Sequence, residues 1–178
     1  YDALARLIYG KRIVKAQTHY LHLLKNSKHV LVLGGGSGWI LDELFKHSTA
    51  EITYVEASSA MITLAKQRSI PTTQVIFIHG TEDQIPQGSV FDVVITNFYL
   101  DLFSERKQPE VIDKLRASLT KNGLWLVSDF VNEGKWWQRF FLFIMHQFFR
   151  HLSKIESDKL ADWETALCES GLKQIQVD

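Results

Sequence analysis

Residues 30–38, which read VLVLGGGSG, decide the fold of this 178-residue chain. The first four form a short continuous apolar run, as expected of a strand that is buried on both faces of a parallel sheet. After the glycine-rich turn, apolar residues recur at helical spacing at Ile40, Leu41, Leu44 and Phe45. A strand that enters a helix through such a turn is typical of nucleotide-binding proteins, because glycines let a ligand approach the backbone and the start of a helix offers unpaired N–H groups.

Apolar runs continue to alternate with helical patterns along the chain, which predicts an α/β fold. Further strands are predicted at 52–55, 75–78, 91–96, 124–128 and 173–177. Helices are predicted within 3–25, over 39–47, after a cap at Ser58 or Ser59, from Pro109 to a stop at Asn122-Gly123, and from Leu160 to Gly171. The expected architecture is a three-layer sandwich around a mostly parallel, doubly wound sheet.

Composition narrows the class of protein. The chain has 20 Lys+Arg and 20 Asp+Glu, and this zero net charge argues against electrostatic capture of nucleic acid. A single cysteine, Cys168, allows no internal disulfide and favours a reducing, cytoplasmic location. The aromatic stretch 136–149 is interrupted by Arg139 and is shorter than the roughly 20 apolar residues of a membrane span, so no transmembrane helix is expected.

The glycine turn does not fit two familiar phosphate-binding patterns. The dinucleotide fingerprint G-x-G-x-x-G, started at Gly34, requires glycine at position 39, where the chain has Trp39. The P-loop requires a lysine and a serine or threonine after its second glycine, and neither is present. The pattern that the chain does have is G-x-G-x-G, at Gly34, Gly36 and Gly38.

With this turn, residues 28–130 resemble the class I S-adenosylmethionine-dependent methyltransferases of the small-molecule type. The matching segments, in chain order, are the glycine motif at 30–38, the second motif at 54–58, the loop bordering adenine at 80–86, the fourth-strand motif at 91–97 and the turn into strand five at 119–129. The resemblance implies a Rossmann-like fold, S-adenosylmethionine as cofactor and S-adenosylhomocysteine as product.

The resemblance also implies which residues bind the cofactor. They lie where strands end, since ligands of open α/β sheets bind outside the carboxyl ends of the strands. They are Gly34, Gly35, Gly36, Gly38, Glu56, Ala57, Thr81, Glu82, Asp83 and Asn97. Glu56, at the end of the second strand, is the expected acceptor for the ribose hydroxyls. Simpler structural roles remain open for these residues: Glu56 could cap the next helix, 81–83 could be an ordinary polar loop, and Asn97 could satisfy a turn.

The sequence departs from the family pattern in three places. Val32 stands where the family usually has an acidic residue that orients the glycine loop or reaches the methionine amino group. Thr81 stands where aspartate is common, so Glu82 or Asp83 is expected to take its part. The family usually ends with an antiparallel strand and this chain stops at Asp178, so the expected sheet lacks that strand or closes its edge differently.

No catalytic base is specified by spacing. A base is required only if the acceptor is a hydroxyl or amine that must lose a proton. The weak candidates are Asp129, His146 and Tyr99, and for Asp129 a solvated strand end is the preferred interpretation. Residues 97–99 read Asn-Phe-Tyr and partly match the Asn-Pro-Pro-Tyr signature of some methyltransferases. They lack both of its prolines, so this signature is not assigned here. His19 and His22 are interpreted as surface histidines, and no metal site is expected.

The expected organisation is a single domain over 1–178, with a helical cap at 1–27, a cofactor-binding core at 28–130 and an aromatic helical insertion at 131–157. The insertion is expected to roof an apolar pocket, so the predicted function is methyl transfer to a small apolar or aromatic acceptor. A homodimer interface and weak contact with a membrane surface are the alternatives for 136–149. For the whole chain, the alternatives are a non-catalytic binding module and, less favoured, a nicotinamide-dependent oxidoreductase.

Overall fold

The structure is a computed structural model that describes residues 14–129 and 163–176. Within these residues the chain divides into two compact units. The first, called the sheet unit here, contains residues 14–97 and 118–128. The second, called the helical unit, contains residues 98–117, 129 and 163–176. The helical cap predicted at 1–27 is described only from residue 14, and the insertion predicted at 131–157 lies outside the described residues.

The described part of the sheet unit contains five strands, with one α-helix after the first strand and one after the second. In chain order they are β1 (His29–Leu33), α1 (Trp39–His47), β2 (Glu51–Glu56), α2 (Ser59–Lys66), β3 (Val75–His79), β4 (Phe91–Asn97) and β5 (Leu119–Ser128). Residues 14–18 are helical, and short 3₁₀ helices cover Leu21–Asn26, Thr72–Gln74 and Glu82–Gln84.

All strand pairs in this sheet are parallel, in the order β3-β2-β1-β4-β5. The chain therefore winds outward from β1 through β2 and β3, and then continues on the other side of β1 with β4 and β5. This arrangement confirms the predicted doubly wound α/β fold. The order reverses between β1 and β4, and the carboxyl ends of strands at such a point are where open α/β sheets bind ligands.

The core of the sheet unit explains the continuous apolar runs in the sequence. Residues 30–33 of β1 are all buried, as are 52–55 of β2 and 93–96 of β4. The 3₁₀ helix Leu21–Asn26 packs against α1, and each contributes leucines to the same core cluster. Within these three buried runs the polar side chains are Thr53 and Thr96, together with the hydroxyl of Tyr54.

The helical unit contains a 3₁₀ helix at Leu100–Leu102 and two α-helices, α3 (Gln108–Ala117) and α4 (Trp163–Glu169). The two α-helices pack against each other. The buried face of α3 includes Val111, Ile112 and Leu115, at the spacing that the sequence predicts. Helix α4 is followed by Gly171 in a left-handed conformation (φ +89°), which agrees with the predicted stop.

Two boundaries predicted from the sequence are wrong. Helix α3 ends at Ala117 and β5 begins at Leu119, so Asn122-Gly123 does not end the helix but lies inside the strand. The pairing of β5 with β4 shows the reason. Phe91 pairs with Leu119 and Val93 pairs with Leu124, so β5 has additional residues between these two pairs, which form a local irregularity opposite β4. A Cβ at Gly123 would lie 3.1 Å from the carbonyl oxygen of Asp92, so glycine suits this position.

The strand predicted at 173–177 is also not formed in its described part. Residues 172–176 have no regular secondary structure, and Ile175 is 80% exposed. A strand requires a ladder partner and a buried face, and this segment shows neither over those residues.

No helix within 14–129 or 163–176 is both long enough and apolar enough to span a membrane. The aromatic stretch 136–149, on which the expectations of a roof, a dimer interface and membrane contact depend, lies outside these ranges.

Candidate functional site

The glycine-rich turn joins β1 to α1 at the carboxyl edge of the sheet. Gly34, Gly36 and Gly38 have φ angles of +64°, +63° and +79°, in the left-handed region that disfavours residues with a Cβ. The amide of Gly34 donates to the carbonyl oxygen of Val55 at 3.0 Å, which ties the turn to β2. Gly38 is the N-cap of α1. The turn is therefore tight, as the G-x-G-x-G pattern predicts.

The glycines of this turn have different surroundings. A Cβ at Gly35 would collide with the ring of Tyr54, and a Cβ at Gly38 would lie 2.7 Å from the Cβ of Ala65. A Cβ at Gly36 would meet nothing within 4 Å. Packing thus explains the absence of a side chain at Gly35 and Gly38, whereas Gly36 leaves a space that a side chain could fill.

Glu56 lies beside this space and is 5% exposed. Its Oε2 accepts a hydrogen bond from the amide of Gly36 at 2.9 Å, and its Oε1 accepts from the amide of Ser58 at 2.8 Å. The carboxylate therefore links the glycine turn to the start of α2. Ser58 is the N-cap of that helix and accepts from the amide of Met61, which selects Ser58 over Ser59 as the cap.

Two further side chains, which were not among the predicted site residues, hold the turn. The hydroxyl of Tyr54 donates to the carbonyl oxygen of Gly36 at 2.8 Å. Arg68 Nε donates to the carbonyl oxygen of Ser37 at 2.7 Å. Tyr54 could have been predicted from the sequence. Side chains two residues apart on a strand lie on the same face, so Tyr54 shares a face of β2 with Glu56.

Val32, which stands where the family usually has an acidic residue, is buried in the core. In the sheet it pairs with Tyr54 of β2 and with Ile95 of β4. An apolar residue suits this position. The orientation of the glycine turn, which the family's acidic residue would support, is held here by Glu56, Tyr54 and Arg68.

The loop after β3 is held by local hydrogen bonds. Thr81 caps the 3₁₀ helix Glu82–Gln84: its Oγ1 accepts from the amide of Asp83 at 3.3 Å, and Gln84 Oε1 accepts from the amide of Thr81 at 2.7 Å. Glu82 is buried and Asp83 is exposed. The amide of Gly80 donates to the carbonyl oxygen of Glu56, which brings this loop next to the end of β2.

The last two predicted residues also lie at strand ends of the sheet unit: Ala57 directly follows β2, and Asn97 ends β4. The carbonyl oxygen of Ala57 lies 2.9 Å from Nε2 of His79, the last residue of β3. Asn97 is half-buried at the end of β4, opposite Ser128 of β5. Phe98, the next residue, has a φ of +54°, a conformation that is unusual for an aromatic residue and is found where a structure constrains its backbone. All ten predicted cofactor-binding residues belong to the sheet unit, and hydrogen bonds join the glycine turn and the start of the loop after β3 to Glu56.

Asp129, a catalytic candidate, belongs to the helical unit and is half-buried, not a solvated strand end. Its Oδ2 accepts from the amides of Leu100 at 2.9 Å and Asp101 at 3.3 Å. Tyr99 is buried and packs edge-on against Phe103, with ring centroids 5.3 Å apart. His146 lies outside the described residues.

Asp101 is a buried carboxyl whose position in the chain carries no recognisable signal. It is 4% exposed, and among the described residues neither of its carboxyl oxygens meets a hydrogen-bond partner of good geometry. Burial raises the pKa of Asp101 to about 6, although the nearby Asp129 carboxyl partly opposes this rise. The helical unit therefore holds two neighbouring carboxyl groups, one of them largely protonated in mildly acidic solution.

A metal site finds no support in the described residues. No group of three or more His, Cys, Asp or Glu side chains within 14–129 and 163–176 is placed to hold an ion. His22 Nδ1 lies 2.9 Å from the carbonyl oxygen of His19, so these two histidines are engaged in a local backbone contact.

The fold and the glycine turn define a Rossmann-like α/β protein. The family model described as "Methyltransferase domain" matches residues 30–123, which is more than half of the chain, and the chain belongs to this family. No curated protein sequence matches it significantly.

Solved methyltransferases have similar folds. The N-methyltransferase NodS from Bradyrhizobium japonicum superposes with a TM-score of 0.63 at 17% identity, covering 89% of this chain and 81% of NodS. The complex of DhpI with S-adenosylhomocysteine gives 0.60 at 19%, covering 70% and 60%. An amino pentose methyltransferase from Micromonospora echinaspora gives 0.57 at 16%, covering 71% and 52%. The chain thus spans less than two thirds of the length of the latter two proteins. Sequence identities this low show a similarity of fold alone.

Proposed function

We propose that this chain binds S-adenosylmethionine on the glycine turn and transfers its methyl group to a small-molecule acceptor. The single observation that carries the proposal is the open space at Gly36 beside the buried carboxylate of Glu56. A left-handed glycine with free space next to it fits a ligand that lies against the backbone. Membership of a methyltransferase family supports the choice of ligand.

Glu56 is proposed to accept hydrogen bonds from the ribose hydroxyls. A carboxylate has about four acceptor positions, and the amides of Gly36 and Ser58 use two of them. The remaining positions can accept from a diol. Gly34, Gly35, Gly38, Ala57 and Asn97 are proposed to line the same site, with Thr81, Glu82 and Asp83 toward the adenine.

When bound, S-adenosylmethionine supplies an activated methyl group on a sulfonium sulfur. The contribution of the chain is then to bind and orient the two reactants, which can lower the barrier by several kcal/mol. Proton removal matters only for a hydroxyl or amine acceptor, and for this step Asp129 and Tyr99 remain the proposed candidates of the described chain, with His146 beyond it.

The acceptor is proposed to be small and apolar or aromatic. This part rests on the sequence of 136–149, where tryptophan and phenylalanine occur on nearly every face of a helical pattern. The division into a cap at 1–27, a core at 28–130 and a lid at 131–157 belongs to the same proposal.

The test is calorimetric titration of the chain with S-adenosylmethionine, S-adenosylhomocysteine and NAD. Gly36→Ala should abolish binding of the first two, because its Cβ fills the proposed ligand space. Gly88→Ala is the matched control: Gly88 also has a positive φ (+83°) and open space around it, so both variants should lose a similar stability of about 1–2 kcal/mol.

The outcomes separate the alternatives. Binding of S-adenosylmethionine with release of S-adenosylhomocysteine in the presence of phenols, quinols or amines supports the enzyme. Binding without turnover on any acceptor supports a binding module. Binding of NAD alone contradicts the proposal and favours an oxidoreductase.

A further inference from the structure

Arg68 makes an unusual set of contacts with the glycine turn. It follows α2, and its side chain, 25% exposed, reaches back to residues at the start of α1. Its Nε donates to the carbonyl oxygen of Ser37 at 2.7 Å, and one terminal nitrogen donates to the Ser37 hydroxyl at 3.3 Å. The other terminal nitrogen forms an ion pair with Asp42. One guanidinium thus binds the backbone and the side chain of the same loop residue.

Ser37 is the residue whose position decides the shape of the turn. It lies between two left-handed glycines, Gly36 and Gly38, and glycines allow many other backbone conformations at low energy. A hydrogen bond to the carbonyl oxygen of Ser37 fixes the plane of the peptide that joins Ser37 to Gly38. The orientation of Gly36 is fixed from the other side by Tyr54 and Glu56.

The ion pair with Asp42 directs the arginine. The Asp42 side chain is 42% exposed, so its attraction to the guanidinium is screened by water and contributes little stability by itself. Because a guanidinium is planar and its N–H groups diverge at fixed angles, binding Asp42 at one end aims the other N–H groups at Ser37. A lysine at this position would carry all its donors on a single nitrogen, whereas Arg68 uses three separate nitrogens for its three contacts.

We propose that Arg68 is a positioning residue for the cofactor: it keeps Ser37 in the conformation that leaves the space at Gly36 open. This inference rests on the proposed binding of S-adenosylmethionine to the turn. A loop that is competent only part of the time binds its ligand more weakly in proportion to that fraction. Loss of Arg68 should therefore weaken binding even though Arg68 need not touch the ligand.

A purely structural role is the competing explanation, since Arg68 also ties α2 to α1. The two roles predict different measurements. A structural tie affects the unfolding temperature of the free protein, whereas a positioning residue affects the dissociation constant of S-adenosylhomocysteine in protein that is fully folded. Hydrogen exchange at the amides of Gly36 and Gly38 in the free protein reports the order of the turn directly.

The experiment compares Arg68→Met, Arg68→Lys and Asp42→Asn with the parent. Lys46→Met is the matched control, because Lys46 also pairs with a carboxylate of α1, that of Glu43, but on the surface. Each protein is titrated with S-adenosylhomocysteine by calorimetry, and its folded fraction is checked by circular dichroism. We expect Arg68→Met to raise the dissociation constant about tenfold and to speed exchange at the turn, with Arg68→Lys in between. Asp42→Asn should raise the constant less, and Lys46→Met should match the parent.

Turnover provides a second readout. If the parent is active on any acceptor, Arg68→Met should raise KM for S-adenosylmethionine and leave kcat near the parent value at saturation, because the loop is then held by its ligand. Equal dissociation constants in the parent and the folded Arg68 variants would overturn the inference. Should Arg68→Met not fold, Arg68→Lys and Asp42→Asn decide, and parent-like binding in both would overturn it. A parent that binds no S-adenosylhomocysteine refutes the proposed function itself, which distinguishes the two failures.

Discussion

The ring of Tyr54 occupies the place where Gly35 would carry a side chain. The same tyrosine is fully buried in the core and donates its hydroxyl proton to the carbonyl oxygen of Gly36. One residue of β2 therefore supports the glycine turn by packing and by a hydrogen bond, and glycine at position 35 is a packing requirement that is separate from the ligand space at Gly36.

Gly35→Ala is expected to destabilise the protein by about 1–3 kcal/mol, because the new Cβ overpacks against the Tyr54 ring. Urea unfolding measures the loss. In Tyr54→Leu the ring is gone, so adding Gly35→Ala to that variant should cost less than it does in the parent. Equal costs in both backgrounds would contradict the packing explanation.

Glu56→Ala is expected to weaken binding of S-adenosylhomocysteine roughly ten- to a hundredfold, because hydrogen bonds to a charged acceptor contribute about 1.5–3 kcal/mol. Calorimetry on folded protein measures this. The control is Glu51→Ala, at the exposed opposite end of the same strand, which should bind as the parent does. A folded Glu56→Ala variant with parent-like affinity would mean that the ribose assignment is wrong.

Asp101 should make the protein less stable as pH rises. Burial raises the pKa of Asp101 from 3.8 to about 6 in the folded state, so the folded protein holds a proton that the unfolded chain releases. Stability from this group is fully present below pH 4 and is lost between about pH 4 and 6, by at most about 3 kcal/mol. Urea unfolding midpoints measured between pH 4 and 8 should show this pH-dependent loss of stability in the parent but not in Asp101→Asn. The control is Asp113→Asn, on the exposed side of α3, which should show the same loss of stability with pH as the parent.

Asp92 should have the opposite effect and make the protein more stable as pH rises. Its Oδ2 accepts from the amides of Lys28 at 2.8 Å and His29 at 3.1 Å, and these backbone hydrogen bonds lower its pKa below 3.8. The stabilisation is present above pH 4 and disappears as pH falls through the lowered pKa. Asp92→Ala should cost about 1 kcal/mol at pH 7, a low value because the carboxylate is solvent-exposed. The difference from the parent should shrink toward pH 2, and a constant difference would count against this account.

The central strands of the sheet were predictable because they are buried on both faces. Burial makes the middle of β1, β2 and β4 largely apolar, as in the run 30–33. The outer strands β3 and β5 are only partly buried, but their apolar runs at 75–78 and 124–127 also marked them as strands. The strand expected at 173–177 fails because apolar character does not specify a ladder partner. The start of β5 was misplaced because Asn122-Gly123 signals a turn, and a sequence does not reveal that the turn lies in an irregularity within a strand.

The candidate site was predictable where it depends on strand ends. Glu56 follows directly from its place at the end of β2, and the structure brings it to the glycine turn. Arg68 was not predictable, because its partner Ser37 lies 31 residues away and nothing in the spacing links them. Asp101 was missed for a related reason: its burial depends on packing around a short 3₁₀ helix that carries no sequence signature.

The central position of β1 has a consequence for how the chain folds. Val30 pairs on one side with Ile52, in the next strand of the chain, and on the other with Val93, which is synthesised after β3. During translation the half-sheet β3-β2-β1 can therefore assemble while one edge of its most apolar strand still lacks a neighbour. Unpaired apolar edges invite pairing with other chains. A chain truncated before Phe91 would keep that edge permanently open, and it should sediment as aggregates under conditions in which the intact chain does not.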